Sequence, residues 1–276
     1  MKQVVVITGL GDGMGREVAK MLAASGDSVA GFDVDKKGIA SLEKELAAIG
    51  GNHYLEALDI TDRKGVLRFS GRVLERFNHV DTVLSNVGIG FFSPFEEADL
   101  EKALKCLEIN VIGASAIFQA FLPSMRERRR GKLIAMSSLV GRIPFPFESI
   151  YSASKFAITG LMCSLRYEVE PFGIRVALIE PAQVSTTFAA KIHVLPPEGS
   201  PYRERAGRFI ARDDELIKTA PTPDAAAKRI FKVVKSEKPA IFNQVDFMST
   251  FFLWLNNYLP RAWRDAILVN HMDIKV

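Results

Sequence analysis

Tyr151 and Lys155 stand four residues apart in the stretch Ser149-Ile150-Tyr151-Ser152-Ala153-Ser154-Lys155. Phe156, Ile158, Leu161 and Leu165 follow at helical spacing. The stretch therefore reads as the first turns of a helix, with the phenol and the ammonium on one face. A cation beside a phenol favours the phenolate and lowers the tyrosine pKa from its free value of about 10 towards neutral. That is the chemistry of a general acid/base near physiological pH. Ser138 lies thirteen residues earlier, at the end of the apolar run Leu133-Ile134-Ala135-Met136. A hydroxyl at the end of a buried strand can hold a substrate oxygen while the phenol moves its proton. A Tyr-x-x-x-Lys spacing alone also arises by chance on surface helices, so the rest of the chain has to decide.

Elements that could gather these side chains alternate along the chain. Val4-Val5-Val6-Ile7 is a β-branched run of the kind buried on both faces of a parallel sheet. The turn Thr8-Gly9-Leu10-Gly11-Asp12-Gly13-Met14-Gly15 then opens into a helix at Glu17–Ala24. Such a turn brings backbone N–H groups to a phosphate at a helix N-terminus. It fails the general G-x-G-x-x-G dinucleotide pattern but fits T-G-x-x-x-G-x-G at every fixed position. A second strand, Ser28–Phe32, ends at Asp33. An acid there can bind the adenosine ribose hydroxyls and repel a 2′-phosphate, so NAD is expected, with NADP the alternative. Lys36 and Lys37 begin the next helix, to Ile49, and read as solvated.

A short strand near His53–Leu58 leads to Asp59, suited to an adenine amino group, and to Asp62, suited to a helix N-cap. Asp81–Leu84 is a fourth strand, ending in Ser85-Asn86-Val87-Gly88. A long helical region, Leu100–Arg128, contains Asn110, which needs buried partners or bends the helix. After the Tyr151 helix come a strand at Ile174–Ile179 and the turn Pro181–Thr186. Thr187–Pro223 reads as irregular and proline-rich, a mobile cover over a cleft. Ala225–Val234 reads as a helix and Ala240–Phe242 as a last strand. The expectation is one α/β domain, residues 1–243, with a C-terminal helical extension at 244–276.

Composition bounds the function. Net charge is +4, too balanced to argue for nucleic acid. The basic run Arg126–Arg130 ends a helix, where cations complement its dipole. Cys106 and Cys163 lack metal-ligand spacing and the four histidines are scattered, so no metal site is expected. Two free thiols suit a reducing compartment, and the immediate opening strand leaves no room for a signal peptide. No spanning helix is expected, because no run of 18 or more uncharged apolar residues occurs. These features point to the cytoplasm, with contact at a membrane surface as the alternative.

The ordered motifs, Thr8-Gly9…Gly13-Met14-Gly15, Asp59, Ser85-Asn86-Val87-Gly88, Asn110, Ser138, Tyr151 with Lys155, and Pro181…Thr186, resemble the short-chain dehydrogenase/reductase family over about the first 240 residues. The resemblance implies a Rossmann-type doubly wound parallel sheet, a nicotinamide cofactor, and hydride transfer between an alcohol and a carbonyl. It makes Asn110, Ser138, Tyr151 and Lys155 the catalytic residues. Ser138 would hold the substrate oxygen and Tyr151 would move its proton. Lys155 would lower the Tyr151 pKa and grip the nicotinamide ribose, and Asn110 would hold a water and backbone relay. Cofactor contacts would come from Thr8, Gly9, Gly11, Asp12, Gly13, Met14, Gly15, Asp33, Asp59, Ile60, Asn86, Val87, Gly88, Tyr151, Lys155, Pro181, Val184 and Thr186. Val87 replaces the family's usual alanine and Ala182 its usual glycine. The run from Pro181 through Val184 and Thr186 to Phe188 looks most like the hydroxysteroid and retinol dehydrogenase branch. A homodimer or homotetramer is expected. The competing class is a non-catalytic NAD-binding redox sensor or scaffold.

Phe91-Phe92-Ser93-Pro94-Phe95 and Phe145-Pro146-Phe147 follow the fourth and fifth strands, where α/β proteins bind ligands, and suggest a lipophilic alcohol or ketone. The C-terminus carries two apolar stripes at helical spacing. One is Phe247, Phe251, Trp254 and Tyr258, and the other is Val245, Met248, Phe252, Leu255 and Leu259. Together they exceed the one face a surface helix buries, so core packing, a subunit contact or a lid touching lipid is expected there.

Overall fold

The computed structural model describes residues 2–185 and 194–275. Seven strands, all parallel, form one sheet in the order β3-β2-β1-β4-β5-β6-β7. They are β1 Val4–Thr8, β2 Ser28–Asp33, β3 Tyr54–Ala57, β4 Thr82–Ser85, β5 Gly131–Met136, β6 Ile174–Glu180 and β7 Phe242–Gln244. Parallel neighbours need crossovers, and helices supply them on both faces. The order reverses between β1 and β4, which opens a crevice at the carboxyl ends of those strands.

One face is covered by α1 (Gly13–Ala24), α2 (Lys36–Ile49) and α8 (Pro223–Lys235). The other is covered by α3 (Arg63–Phe77), α5 (Ala114–Glu127) and α6 (Ser149–Val169). The β1 residues Val4-Val5-Val6-Ile7 are all buried and alternate between the two cores, as a strand covered on both sides must. Asp62 caps α3, its carboxylate accepting from Gly65 N–H. This is the Rossmann-type single domain that the strand-helix alternation predicts.

Three elements differ from the sequence expectation. The Leu100–Arg128 region is α4 (Leu100–Leu107), a π-helical turn (Glu108–Gly113) and α5. By length and composition the stretch Leu100–Glu127 is apolar enough to cross a membrane, contrary to the count of uncharged residues alone. Here Ile117, Phe118 and Phe121 of that stretch are core residues. Second, Arg203–Thr219 within the expected irregular segment is a helix, α7. Its charges hide the periodicity, because only Ala206, Phe209 and Asp213 are buried and ion pairs such as Arg208–Glu204 (2.6 Å) line its outside. Third, the last strand begins at Phe242 rather than ending there. The C-terminal segment forms α9 (Phe247–Tyr258) and α10 (Arg261–His271), separated by Pro260. On α9 the Phe247, Phe251, Trp254 and Tyr258 stripe is exposed, while Leu253 is buried, as is Val245 just ahead of the helix.

Candidate active site

β5 ends in Ser137-Ser138, and α6 returns across the same edge of the sheet. Lys155 Nζ donates to the Met136 carbonyl at 2.9 Å, which ties α6 to the end of β5. Ser138 Oγ is in hydrogen-bond contact with Tyr151 and donates to the Pro181 carbonyl at 3.3 Å. Asn110 is turned inwards by the π-helical turn. Its Oδ1 accepts from Ile89 N–H at 2.8 Å, and its Nδ2 donates to the Ile89 carbonyl at 2.8 Å and to Ser154 Oγ at 3.0 Å. The buried amide thus has the partners that its apolar setting requires. A Cβ on Gly88 would lie 3.4 Å from both Asn110 Oδ1 and Lys155 Nζ, so Asn110, Gly88 and Lys155 converge. Ser138, Tyr151, Lys155 and Asn110 are therefore brought together at one strand-end cluster.

The titration of Tyr151 departs from the sequence reading. Burial pushes its phenol above the ordinary tyrosine value, Glu148 adds to this, and the Ser138 hydrogen bond opposes it. Lys155 does not lower it here. The ammonium lies 5.6 Å from the ring centroid, and burial pushes its own pKa down to about 8. In this dry setting the cost of desolvating a charge outweighs the attraction between the two groups.

The glycine turn is a tight cradle. Gly9 and Gly13 have φ of +70° and +57°, and a Cβ on Gly15 would sit 2.3 Å from the Gly9 carbonyl oxygen. Asn86 Nδ2 donates to that same carbonyl at 2.8 Å. Thr8 Oγ1 accepts from the N–H groups of Asn86 and Val87 at 3.0 and 3.2 Å. Asp12 caps α1 through Gly13 N–H, and Gly11 N–H donates to Asp33 Oδ2 at 3.0 Å. The bare backbone against a helix N-terminus fits a dinucleotide, whose phosphates need close approach without side chains. Asp33 and Asp59 lie at the ends of β2 and just past β3. Asp59 is held below the usual carboxylate range, first by Thr61 N–H.

Three of the sequence-named cofactor residues also make core contacts. Ile60 is buried beneath Gly113, where a Cβ would meet it at 2.7 Å, and so supports the π turn with its side chain. Val184 and Met14 pack on the α1 core. Thr186 lies outside the described residues. Sequence reasoning missed Asp246, whose Oδ2 accepts from Ala182 N–H at 2.8 Å and pins the Pro181 turn to α9. It also missed Glu148, Gln183 and Asp213, for which an acid ending the apolar run Phe145-Pro146-Phe147 was the only visible signal.

The family model described as short chain dehydrogenase matches residues 3–194, more than half of the chain. The chain belongs to the short-chain dehydrogenase family. It is 34% identical to the mouse (Mus musculus) dehydrogenase/reductase SDR family member 7B, over 93% of this chain and 77% of that one. It is 31% identical to human (Homo sapiens) 17-beta-hydroxysteroid dehydrogenase type 1, over 87% and 76%. These relatives put this dehydrogenase in the hydroxysteroid-like branch. An alcohol dehydrogenase from Thermococcus sibiricus, solved in complex with 5-hydroxy-NADP, superposes with a TM-score of 0.73 at 26% identity, covering 88% and 95%. Membership of the short-chain dehydrogenase family supports a nicotinamide cofactor for this dehydrogenase.

Proposed function

We propose that the chain oxidises or reduces a lipophilic secondary alcohol or ketone with NAD, and that Tyr151 is the proton donor and acceptor. The observation that carries this reading is the convergence of Ser138, Tyr151, Lys155 and Asn110 beside Gly88, at the mouth of the glycine cradle. A bound nicotinamide would supply the hydride acceptor or donor at this site. Ser138 and Tyr151 hold the substrate oxygen between them. In reduction Tyr151 donates its proton to that oxygen, and the raised phenol pKa keeps the proton available. In oxidation the Tyr151 phenolate takes the substrate's proton and becomes the phenol, and the Ser138 hydrogen bond, which lowers the phenol pKa, favours the form that can take it. Thr8, Gly9, Gly11, Asp12, Gly13, Met14 and Gly15 would cradle the pyrophosphate, and Asn86, Val87, Gly88 and Pro181 would border the nicotinamide half.

Asp33 supports NAD over NADP, because a carboxylate already oriented by Gly11 N–H accepts from ribose hydroxyls and repels a 2′-phosphate. Phe92, Phe145, Phe147 and Phe209 form an apolar wall that supports a lipophilic substrate. The exposed aromatic stripe of α9 and Trp263 of α10 form a contact face for a second subunit or a membrane surface. A screen of lipophilic alcohols and ketones, followed by NADH absorbance, tests the activity. The wild type should favour NAD in kcat/KM, and Asp33→Ala should narrow the preference. A wild type that prefers NADP contradicts the role given to Asp33.

A further inference from the structure

Glu148 is a carboxyl that the reaction above does not need. It immediately precedes α6, three residues ahead of Tyr151, which places the two on one side of the helix start. Only 8% of it is exposed. Its side chain does not cap α6, and its backbone carbonyl alone holds Ser152 N–H. Among the described residues Asp213 of α7 is the charged group that acts on its carboxyl, and none of them gives it a hydrogen bond or a positive charge. A buried carboxyl without a partner is costly, and burial with Asp213 pushes its pKa up to about 8.

The surroundings show what such a group faces. Phe147 packs on Phe92 and Phe209, with ring centroids 5.7 and 5.9 Å away. Asp213 lies one turn beyond Phe209 on α7, and its Oδ1 accepts from Gln183 Nε2 at 2.9 Å. Glu148 thus falls between Phe147 of that aromatic cluster and Tyr151, on whose phenol its carboxyl acts.

We propose that Glu148 recognises a hydrogen-bond donor, a hydroxyl or an amine, that the substrate carries beside its reacting carbon. This rests on the dehydrogenase reading and narrows its substrate class from plain lipophilic alcohols and ketones to vicinal diols or amino alcohols with an apolar tail, and the matching ketones. The donor group satisfies the buried carboxyl, while the tail lies along Phe92, Phe145 and Phe147.

Three alcohols that share one alkyl chain test it: a 2-alkanol, a 1,2-alkanediol and a 1-amino-2-alkanol. For wild type, kcat/KM for the diol or the amino alcohol should exceed that for the alkanol by at least ~10-fold, mostly through KM, the scale of one hydrogen bond to a buried carboxyl. Glu148→Met should bring that ratio down to about one, whatever the absolute rates. Glu148→Gln still accepts from a hydroxyl but carries no charge. Loss of the amino-alcohol preference in Glu148→Gln assigns an ammonium, and survival of the diol preference assigns a hydroxyl. A wild-type ratio near one, or a ratio unchanged in Glu148→Met, overturns the proposal. Should Glu148→Met fail to fold, the wild-type ratio and Glu148→Gln decide. A wild type that oxidises none of the three with NAD or NADP removes the dehydrogenase reading itself, and this inference with it.

Discussion

Tyr151, Lys155 and Glu148 all sit where water is scarce, and burial presses each towards its neutral form. The sequence shows which side chains share a helix face, but not how dry that face is, so the expected lowering of Tyr151 by Lys155 reverses. Glu148 makes this measurable. Its pKa rises from an ordinary 4.5 to about 8 in the folded chain, so the folded state binds the extra proton between those values. Its contribution to stability is full below the lower value and is lost as pH rises through the upper one. Glu148→Gln should therefore lose less Tm than wild type between pH ~5 and pH ~8. Lys155, pushed down from 10.5 to about 8, acts in the other sense and only above that window, where stability recovers as pH rises. Equal Tm changes in the two proteins would contradict the buried, unpartnered carboxyl.

At the scale of elements, turns and caps carry the site more than strand interiors do. The step from β1 to α1 has no room for a side chain at Gly15, since its Cβ would meet the Gly9 carbonyl and Asn86 Nδ2 at 2.3 and 2.6 Å. Gly15→Ala should weaken nicotinamide nucleotide binding by at least ~10-fold and lower stability by about 1–3 kcal/mol, the scale of an overpacked site; titration of protein fluorescence and thermal unfolding measure the two. The π-helical turn aims Asn110 at Ile89 and Ser154, which a regular helical repeat read from sequence does not reveal. The C-terminal pair belongs to the same machinery. Asp246 pins the Pro181 turn, and Met272 and Ile274 join Phe92 and Phe209 behind the substrate wall. Truncation after Gln244 removes all three contacts. It should lower Tm and raise KM for short and long substrates alike. A fully stable variant that loses only long-chain activity would instead make the pair a lid.

Across the whole molecule, the parallel sheet gathers residues distant in sequence onto one edge, from Thr8 through Asp33 and Asn86 to Ser138 and Pro181. This much was legible beforehand, because a doubly buried strand is a continuous apolar run and each ends in a polar or glycine-rich signal. Val4-Val5-Val6-Ile7 before Thr8-Gly9 and Leu133-Ile134-Ala135-Met136 before Ser138 are the clearest cases. What was not legible depends on contacts between elements. Helix α7 buries only Ala206, Phe209 and Asp213, too few to set a pattern, and Glu148 acquires its character only once α7 lies against it. The exposed stripe Phe247, Phe251, Trp254 and Tyr258 was visible as a stripe, yet only packing shows which of the two faces outwards. The central claim is that this gathered edge does proton chemistry through one phenol. Turnover of Tyr151→Phe, measured beside its NAD affinity, tests it most directly. The account predicts a loss of at least ~100-fold in kcat with NAD binding nearly unchanged, the scale of lost acid/base catalysis; turnover equal to wild type would contradict it.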